Sequence, residues 1–386
     1  DKSRVAYFQL PGTTAFTSLG SRPIRGLHVP KVSDYMYAVE SDGFYQIDAT
    51  GAAVLKGTLS TIGGHVSMES DGTRILLVDG VTGYYYNMDT DVFTTTASAN
   101  FPYGAKTVGF LSGRMVCEDP TVPGQFRWSD LYADTWSALN FAKAEASPDG
   151  LSGVWVQNGQ LFLLGSVTVE PWGVTDDDEL PFAPIRGAVS QWGVAAVQSV
   201  ASFAGTFAFL GRTLEGQVQI VMMQGYQTVP ISIPDLDYLI NNYSTVEDAQ
   251  AFSYKIGGHS MYEITFPTAG ETWIYDGLSQ CWSQVKTGSS RHLAELSCNY
   301  RNGIYVTDYR TGDILRLDPM SMTDNGEAII RTIQGKHFAQ GDGVSVSQLW
   351  IDVEMGVGTA TGQGSDPQLM LQTSKDGGST WSNELW

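Results

Sequence analysis

Residues Tyr254–Trp282, YKIGGHSMYEITFPTAGETWIYDGLSQCW, decide how the chain is read. Two apolar runs, Met261–Phe266 and Thr272–Tyr275, flank Pro267-Thr268-Ala269-Gly270, and an Asp276-Gly277 break precedes the closing Trp282. Apolar runs of strand length joined by a Pro/Gly turn predict an antiparallel meander, not a helix.

The same outline recurs outward from this stretch. Tyr35–Glu40 and Phe44–Ile47 flank Ser41-Asp42-Gly43, Arg74–Val78 and Tyr84–Met88 flank Asp79–Gly83, and Gly113–Cys117 and Phe126–Trp128 flank a Pro/Gly loop. Asp48, Asp89 and Asp130 follow these units at intervals of 41 residues, the length of a four-stranded propeller blade. Val154–Leu164 with Thr168–Trp172, Phe203–Leu210 with Gln217–Met223, and Gly303–Asp308 with Asp313–Leu317 continue the series. Between Trp172 and Asp276 two blades fit once an insertion at about 234–250 is set aside. There Leu236, Leu239, Ile240 and Tyr243 fall at helical spacing, and Ser244 with Glu247 has the spacing of a capping pair for a second short turn.

The expectation is therefore an all-β chain. Residues 21–320 form a β-propeller of seven blades, with six as the alternative if the first unit belongs elsewhere, and carry a short helical insertion. Beyond Pro319 the Ser321–Gly326 break opens a small C-terminal β domain, 325–386, with strands at Ile329–Ile333, Ser345–Val353 and Gln368–Thr373 around a Gly356–Asp366 loop. Residues 1–20, through Val5–Leu10, are expected to supply an N-terminal strand that pairs with it. A start at Asp1 and an end at Trp386 inside a strand-like segment read as a trimmed chain with an incomplete C-terminal domain.

Composition narrows the function. The 386 residues hold 43 glycines and 44 Tyr, Phe and Trp, which favour strands and tight turns. Charged residues make up 16%, consistent either with extensive contact with neighbours or with a glycine- and threonine-rich β protein. The net charge is −19, from 41 acidic and 22 basic residues, with no Lys/Arg cluster, which argues against direct binding to nucleic-acid phosphates. Cys117, Cys281 and Cys298 are odd in number and lack CxxC spacing, as in a reducing cytoplasm; Cys281 and Cys298 are placed to approach across adjacent strands. Asp1-Lys2-Ser3-Arg4 is not a signal peptide, and no apolar run has the length of a membrane span.

Catalytic constellations are missing from the pattern. Ser374, Asp376, Gly378, Thr380 and Trp381 form an Asp-box-like hairpin, S-x-D-x-G-x-T-W, whose chemistry is structural: a carboxylate bonding turn amides, glycine at positive φ, and Trp381 packing the hairpin base. Glycosidase propellers carry such boxes, usually one per blade, which keeps a carbohydrate-binding or glycoside-hydrolysing propeller as the alternative, with Tyr84-Tyr85-Tyr86 reading as exposed aromatics. Arg22-Pro23-Ile24-Arg25 only loosely follows the arginine pattern of sialidases. Asp176-Asp177-Asp178-Glu179 lacks the spacing of a calcium loop and reads as a solvated loop. His65 and His259 each follow Gly-Gly at a strand start, predicting a shared turn role with the ring bonded to backbone. No nucleophile elbow, P-loop or dinucleotide fingerprint occurs, so no catalytic, cofactor or metal residues are assigned and the chain reads as a scaffold rather than an enzyme.

Three groups of residues carry a resemblance. Tyr243-Ser-Thr-Val-Glu-Asp-Ala249 leads into Ser253-Tyr254, Gly258-His259, Tyr262–Gly270 and Thr272–Asp276; Phe126–Tyr132 precedes Trp136, Leu139, Phe141–Glu145 and Ser147-Pro-Asp149; Asp376–Ser382 lies near the end. Together, from about residue 105 to the C-terminus, they resemble the packaged-DNA stabilisation proteins of short-tailed bacteriophages (podoviruses), also called tail hub, tail accessory or nozzle-like proteins. The resemblance implies a non-enzymatic virion protein, made in the host bacterial cytoplasm and assembled as a homo-hexameric ring. That ring attaches below the portal and adaptor of the head-to-tail connector, extends the DNA channel, and retains packaged DNA until ejection. It docks a tail needle or knob and tailspikes or fibres. DNA passes through without specific binding, no cofactor takes part, and no stable membrane insertion occurs.

Overall fold

A computed structural model describes residues 10–144, 150–335, 347–350, 361, 365 and 369–386. The chain divides into two compact units, Thr14–Leu317 and the pair of segments Asp1–Thr13 and Asp318–Trp386.

The larger unit is a β-propeller of seven antiparallel sheets. In chain order the innermost strands are Ile24–His28, Ser67–Ser70, Val108–Leu111, Leu151–Gln157, Ala201–Phe203 (beside Gly193–Val194), Gln250–Ile256 and Ala294–Tyr300. Each blade runs outward from there as a meander. The sixth, which contains Tyr254–Trp282, pairs Gln250–Ile256 with His259–Phe266, then Glu271–Asp276, then Cys281–Thr287.

Side-chain alternation explains why the sheets must stack. Along Arg74–Val78 successive residues face opposite sides. Ile75 and Leu77 join the cluster with Tyr37, Phe44 and Tyr84 of the first two blades. Leu76 and Val78 join the next, with Tyr85, Met115 and Cys117. The triplet Tyr84-Tyr85-Tyr86 divides the same way, and all three are buried rather than exposed, because both faces of the blade are covered.

Turn chemistry refines the expected strands. Val154–Leu164 is a hairpin, not one strand: Asn158 (φ +51°) and Gly159 (φ +74°) form a two-residue turn between Gln157 and Gln160. Phe203–Leu210 is broken in the same manner by Ala204 and Gly205.

The insertion is a single α-helix, α1, Pro234–Asn241, with proline at its start and Asp235 and Asp237 in its first turn. Leu236 and Ile240 are buried against the fifth and sixth blades, while the Asn241 side chain exchanges bonds of 2.8 and 3.0 Å with the Val218 backbone. The expected second helical turn after Ser244 does not form. Glu247 instead pairs with Arg212 at 2.5 Å.

The last blade closes differently from the expectation. Gly12–Ser18 lies beside Asp313–Asp318 as the outermost strand of the blade begun by Ala294–Tyr300, so from Thr14 onward this strand belongs to the propeller, while the residues up to Thr13 group with Asp318–Trp386. Leu19 N and Gly312 N complete the seam, bonding Gly312 O and Gly20 O at 3.0 and 3.2 Å. The proposed Val5–Leu10 strand falls almost wholly outside the described residues.

In the second unit, Ser321 and Asn325 bond Thr13 at 3.2 and 2.7 Å, and Thr323–Asp324 pairs with Glu327–Ala328. Ile329–Ile333 is not a strand; Ile330 and Ile333 are exposed, and no facing ladder exists among the described residues. Of Ser345–Val353 only 347–350 are described, without strand structure, and Gln368 and most of Gly356–Asp366 lie outside the described residues. Leu371 and Leu385 bridge through reciprocal bonds of 2.8 and 3.0 Å.

Close blade contact fixes some glycines absolutely. A Cβ on Gly193 would lie 2.1 Å from the Ser166 carbonyl, a backbone group that has no rotamer to escape by. Gly193→Ala is expected to destabilise the protein by about 1–3 kcal/mol through overpacking, read as a lower midpoint in urea with far-UV circular dichroism. A midpoint equal to that of the parent would contradict the described contact.

Candidate functional site at the propeller axis

The inner strands are stitched into a ring by bonds that cross from blade to blade. Val66 N donates to Arg25 O at 2.8 Å, Val108 N to Ser67 Oγ at 3.3 Å, and Val154 N to Thr107 Oγ1 at 2.7 Å. Ser202 Oγ then donates to Gln157 Oε1 at 2.9 Å, and Ser253 Oγ to Ser202 O. Ser297 Oγ donates to Ser253 O at 3.4 Å, and Tyr300 OH closes the circuit on Asp34 O at 2.6 Å. Hydroxyls at strand position after strand position are a signal that blade counting overlooked.

Inside this ring is a cavity of about 180 Å³, lined by residues from six blades. Its polar wall comprises His65, Ser67, Thr107, Trp155, Gln198 and Gln250; valines, leucines and an alanine form the rest, and among the described residues no Asp, Glu, Lys or Arg lines it. Burial, and secondarily repulsion by Arg25, lower the His65 pKa to about 4, so its ring is neutral near pH 7.

Two buried ionisable groups brace the cavity wall. Arg25 spends its guanidinium on Ser41 O, Thr61 O and Oγ1, Gly63 O and Gly64 O at 2.5–2.8 Å, fixing the Gly-Gly turn ahead of His65. Burial lowers its pKa. Its donors serve the chain itself, so it does not play the substrate-carboxylate role of a sialidase arginine; Arg22 offers its backbone N–H to Glu40. Glu118 accepts from Lys106 N, from Thr107 N at 3.2 Å and from Thr107 Oγ1 at 2.6 Å, and that hydroxyl in turn receives Val154 N. Burial pushes the Glu118 pKa up to about 7 against these stabilising bonds.

The residues singled out from the sequence do not converge on one site. In the Asp-box hairpin, Asp376 accepts from Thr380 N at 2.8 Å, Thr380 Oγ1 at 2.5 Å and Ser374 Oγ at 2.8 Å, while Gly378 N donates to Ser374 Oγ at 2.7 Å. These bonds, Thr380's first, lower its pKa to about 2, and they consume the box in its own turn. Trp381 remains half-exposed. His65 and His259 are not equivalent: His259 Nδ1 bonds the Asp276 carboxylate at 2.8 Å, whereas His65 Nδ1 is buried without a partner. Cys281 and Cys298 are free thiols on different blades, since Cys298 lies on an inner strand and Cys281 on an outer one. Asp177 accepts from Glu179 N at 2.8 Å and shapes an exposed loop. Among the described residues no group of three or more His, Cys, Asp or Glu is placed to hold a metal.

Residues 4–322 match the family model described as bacteriophage P22 Gp10, β-propeller. Among curated proteins, the tail hub protein gp10 of Salmonella phage P22 is 22% identical over 343 residues, covering 81% of this chain and 69% of the relative. Solved structures with a similar fold include a chain of a mitotic checkpoint complex (14% identity, TM-score 0.50, 83% of this chain and 99% of that one). The extracellular domain of a hybrid two-component system from B. thetaiotaomicron is another (9% identity, TM-score 0.52, 80% and 39%). At such identities the structural likenesses speak to the fold alone.

The Glu118 environment has a pH consequence. Its folded pKa, about 7, lies above the ordinary value of 4.5, so the folded state holds the proton more tightly. The associated stabilisation is complete below pH 4.5 and is lost as pH rises through 7, a change of at most roughly 3 kcal/mol. Glu118→Gln is expected to flatten this decline in urea titrations between pH 5 and 8. An unchanged slope would contradict the assignment. Arg25→Met, which strands four backbone carbonyls, is expected to cost about 3 kcal/mol or more, measured by the same titration at fixed pH.

Proposed function

Because the chain belongs to the family described as bacteriophage P22 Gp10, β-propeller, we propose that it is a structural virion protein of a phage tail hub. The observation that carries this reading is the family match across residues 4–322, which takes in every propeller blade. The 22%-identical relative is named a tail hub protein, which supports the same assignment.

In the finer reading, subunits of this chain form a homo-hexameric ring below the portal and adaptor. The ring continues the DNA channel, holds packaged DNA in the head until ejection, and docks a needle or knob and tailspikes or fibres. The segment 325–386 serves ring formation and the propeller serves appendage docking. Electrostatics support a conduit that releases its cargo. Net charge is −19, and Arg74, Arg127, Arg212, Arg291 and Arg310 are all paired with carboxylates of the same chain. Each such pair offsets a cation that could otherwise condense on phosphates, which favours DNA that is not gripped in transit.

Three measurements test the proposal. Negative-stain images of the purified chain are expected to show six-fold rings with a central channel, and a uniformly monomeric population would overturn the ring. Removal of 325–386 is expected to abolish hexamers in native mass spectrometry, and their survival would refute that division of labour. Duplex DNA is expected to show no electrophoretic retardation even at low salt; tight, salt-sensitive binding would contradict the non-adhesive wall.

A further inference from the structure

The loops that join the two outer strands of the third and fourth blades, residues 129–140 and 175–181, emerge beside one another. Leu131 and Tyr132 crowd the Ser112-Gly113 turn, where a Cβ on Gly113 would lie 2.7 and 2.8 Å from their side chains. Arg114, the next residue, donates to Asp178 O at 3.2 Å. One turn of the third blade thus anchors both loops. Asn140 Nδ2 bonds Asp130 Oδ1 at 2.9 Å, which brings the neighbouring Leu139 back to the base of the first loop.

Leu131, Tyr132, Leu139 and Leu180 are each more than half exposed, Leu139 by 80%. Apolar side chains gathered in the open and rimmed by polar groups mark a contact surface, whereas scattered ones do not. Tyr132 sits at φ +46°, a conformation that bulky residues rarely adopt. Its N–H donates to Gly113 O at 2.7 Å and its carbonyl accepts from Arg74, so the ring is held in place. The rim has one sign. Asp134 and the run Asp176-Asp177-Asp178-Glu179 are exposed, and neither loop contains Lys, Arg or His. The two arginines at hand are engaged, Arg74 with Asp71 at 3.2 Å and the buried Arg114 with Asp178 O.

We propose that this corner of the propeller docks a separate protein, through a segment with apolar residues at its centre and lysines or arginines around them. Charge complementarity selects that partner: a basic rim meets the carboxylates, which steer its approach and fix its register. Tyr132 and the leucines supply the affinity, as aromatic and apolar anchors do at the centre of an interface. A second copy fits poorly, because the chain carries a net charge of −19 and would bring carboxylates against carboxylates. Nothing in this choice depends on the tail-hub assignment.

The test uses the whole chain and three synthetic peptides of equal length, an amphipathic lysine–leucine helix, its glutamate–leucine counterpart and oligolysine. By fluorescence anisotropy the lysine–leucine peptide is expected to bind best, with an affinity that falls as salt is raised. Carbodiimide coupling, which joins a lysine amine to a carboxylate, is expected to place it on Asp134 and Asp176–Glu179. Tyr132→Gly, which deletes the ring and relieves the positive φ, is expected to weaken binding about tenfold. Leu278→Ser, at a comparably exposed position on the sixth blade, is expected to change nothing. Urea midpoints report whether the variants fold; should Tyr132→Gly not fold, Leu139→Ser takes its place, with the same loss expected. No binding of the lysine–leucine peptide, or equal binding of either other peptide, would overturn the proposal. So would coupling confined to other carboxylates, affinity unchanged in the loop variant, or self-association of the chain that the loop variant abolishes.

Discussion

Ring closure is the constraint on which this protein depends. A single blade has two apolar faces and can cover neither of them by itself, so each strand's odd and even residues belong to different inter-blade clusters. Burial of large side chains contributes about 1.5–3 kcal/mol apiece, whereas each crossing hydrogen bond contributes nearer 1 kcal/mol. Strength therefore comes from the apolar clusters. The hydroxyl circuit from Ser67 to Tyr300 sets angle and register, and glycines such as Gly193 mark where neighbouring backbones come too close for a side chain.

Acidity and architecture are linked through the turns. Asp48, Asp71, Asp79, Asp276 and Asp318 each accept backbone N–H groups two to four residues ahead, at 2.6–3.0 Å. Part of the surplus of carboxylates is thus turn chemistry demanded by many short strands. Several arginines are drawn into pairs with such carboxylates: Arg74 with Asp71, Arg127 with Asp119 and Arg310 with Asp308 within a blade, and Arg291 with Glu295 across two. The acidic balance of the surface follows from the fold as much as from any partner it meets.

Much of this was legible in the sequence because period-two alternation and Asx/Gly turns are local properties. The seven units, the helical insertion at Pro234 and the meander of Tyr254–Trp282 could be read directly. What escaped was non-local. The opening stretch is one blade among seven, yet its Tyr262 hydroxyl bonds Ser199 O of the preceding blade at 2.7 Å, a contact with no sequence signature. The 41-residue markers did not share one role: Asp48 caps its turn, while at the next marker Asn87 accepts the turn amides and Asp89 donates its own. The His65 and Trp155 wall and the Arg25 brace depend on which side of each inner strand meets the axis, a matter of register that only the assembled ring decides.

The N-terminal strand has a temporal consequence. Gly12–Ser18 finds its place only beside Asp313–Asp318, some 300 residues later in the chain. At translation rates of about 5–20 residues per second, this strand waits roughly 15–60 s for its partner. Throughout that interval the nascent protein is an open arc of blades with an uncovered flank at each end. Such an arc is a natural client for chaperones and the form most prone to join a neighbouring copy by exchanging this strand.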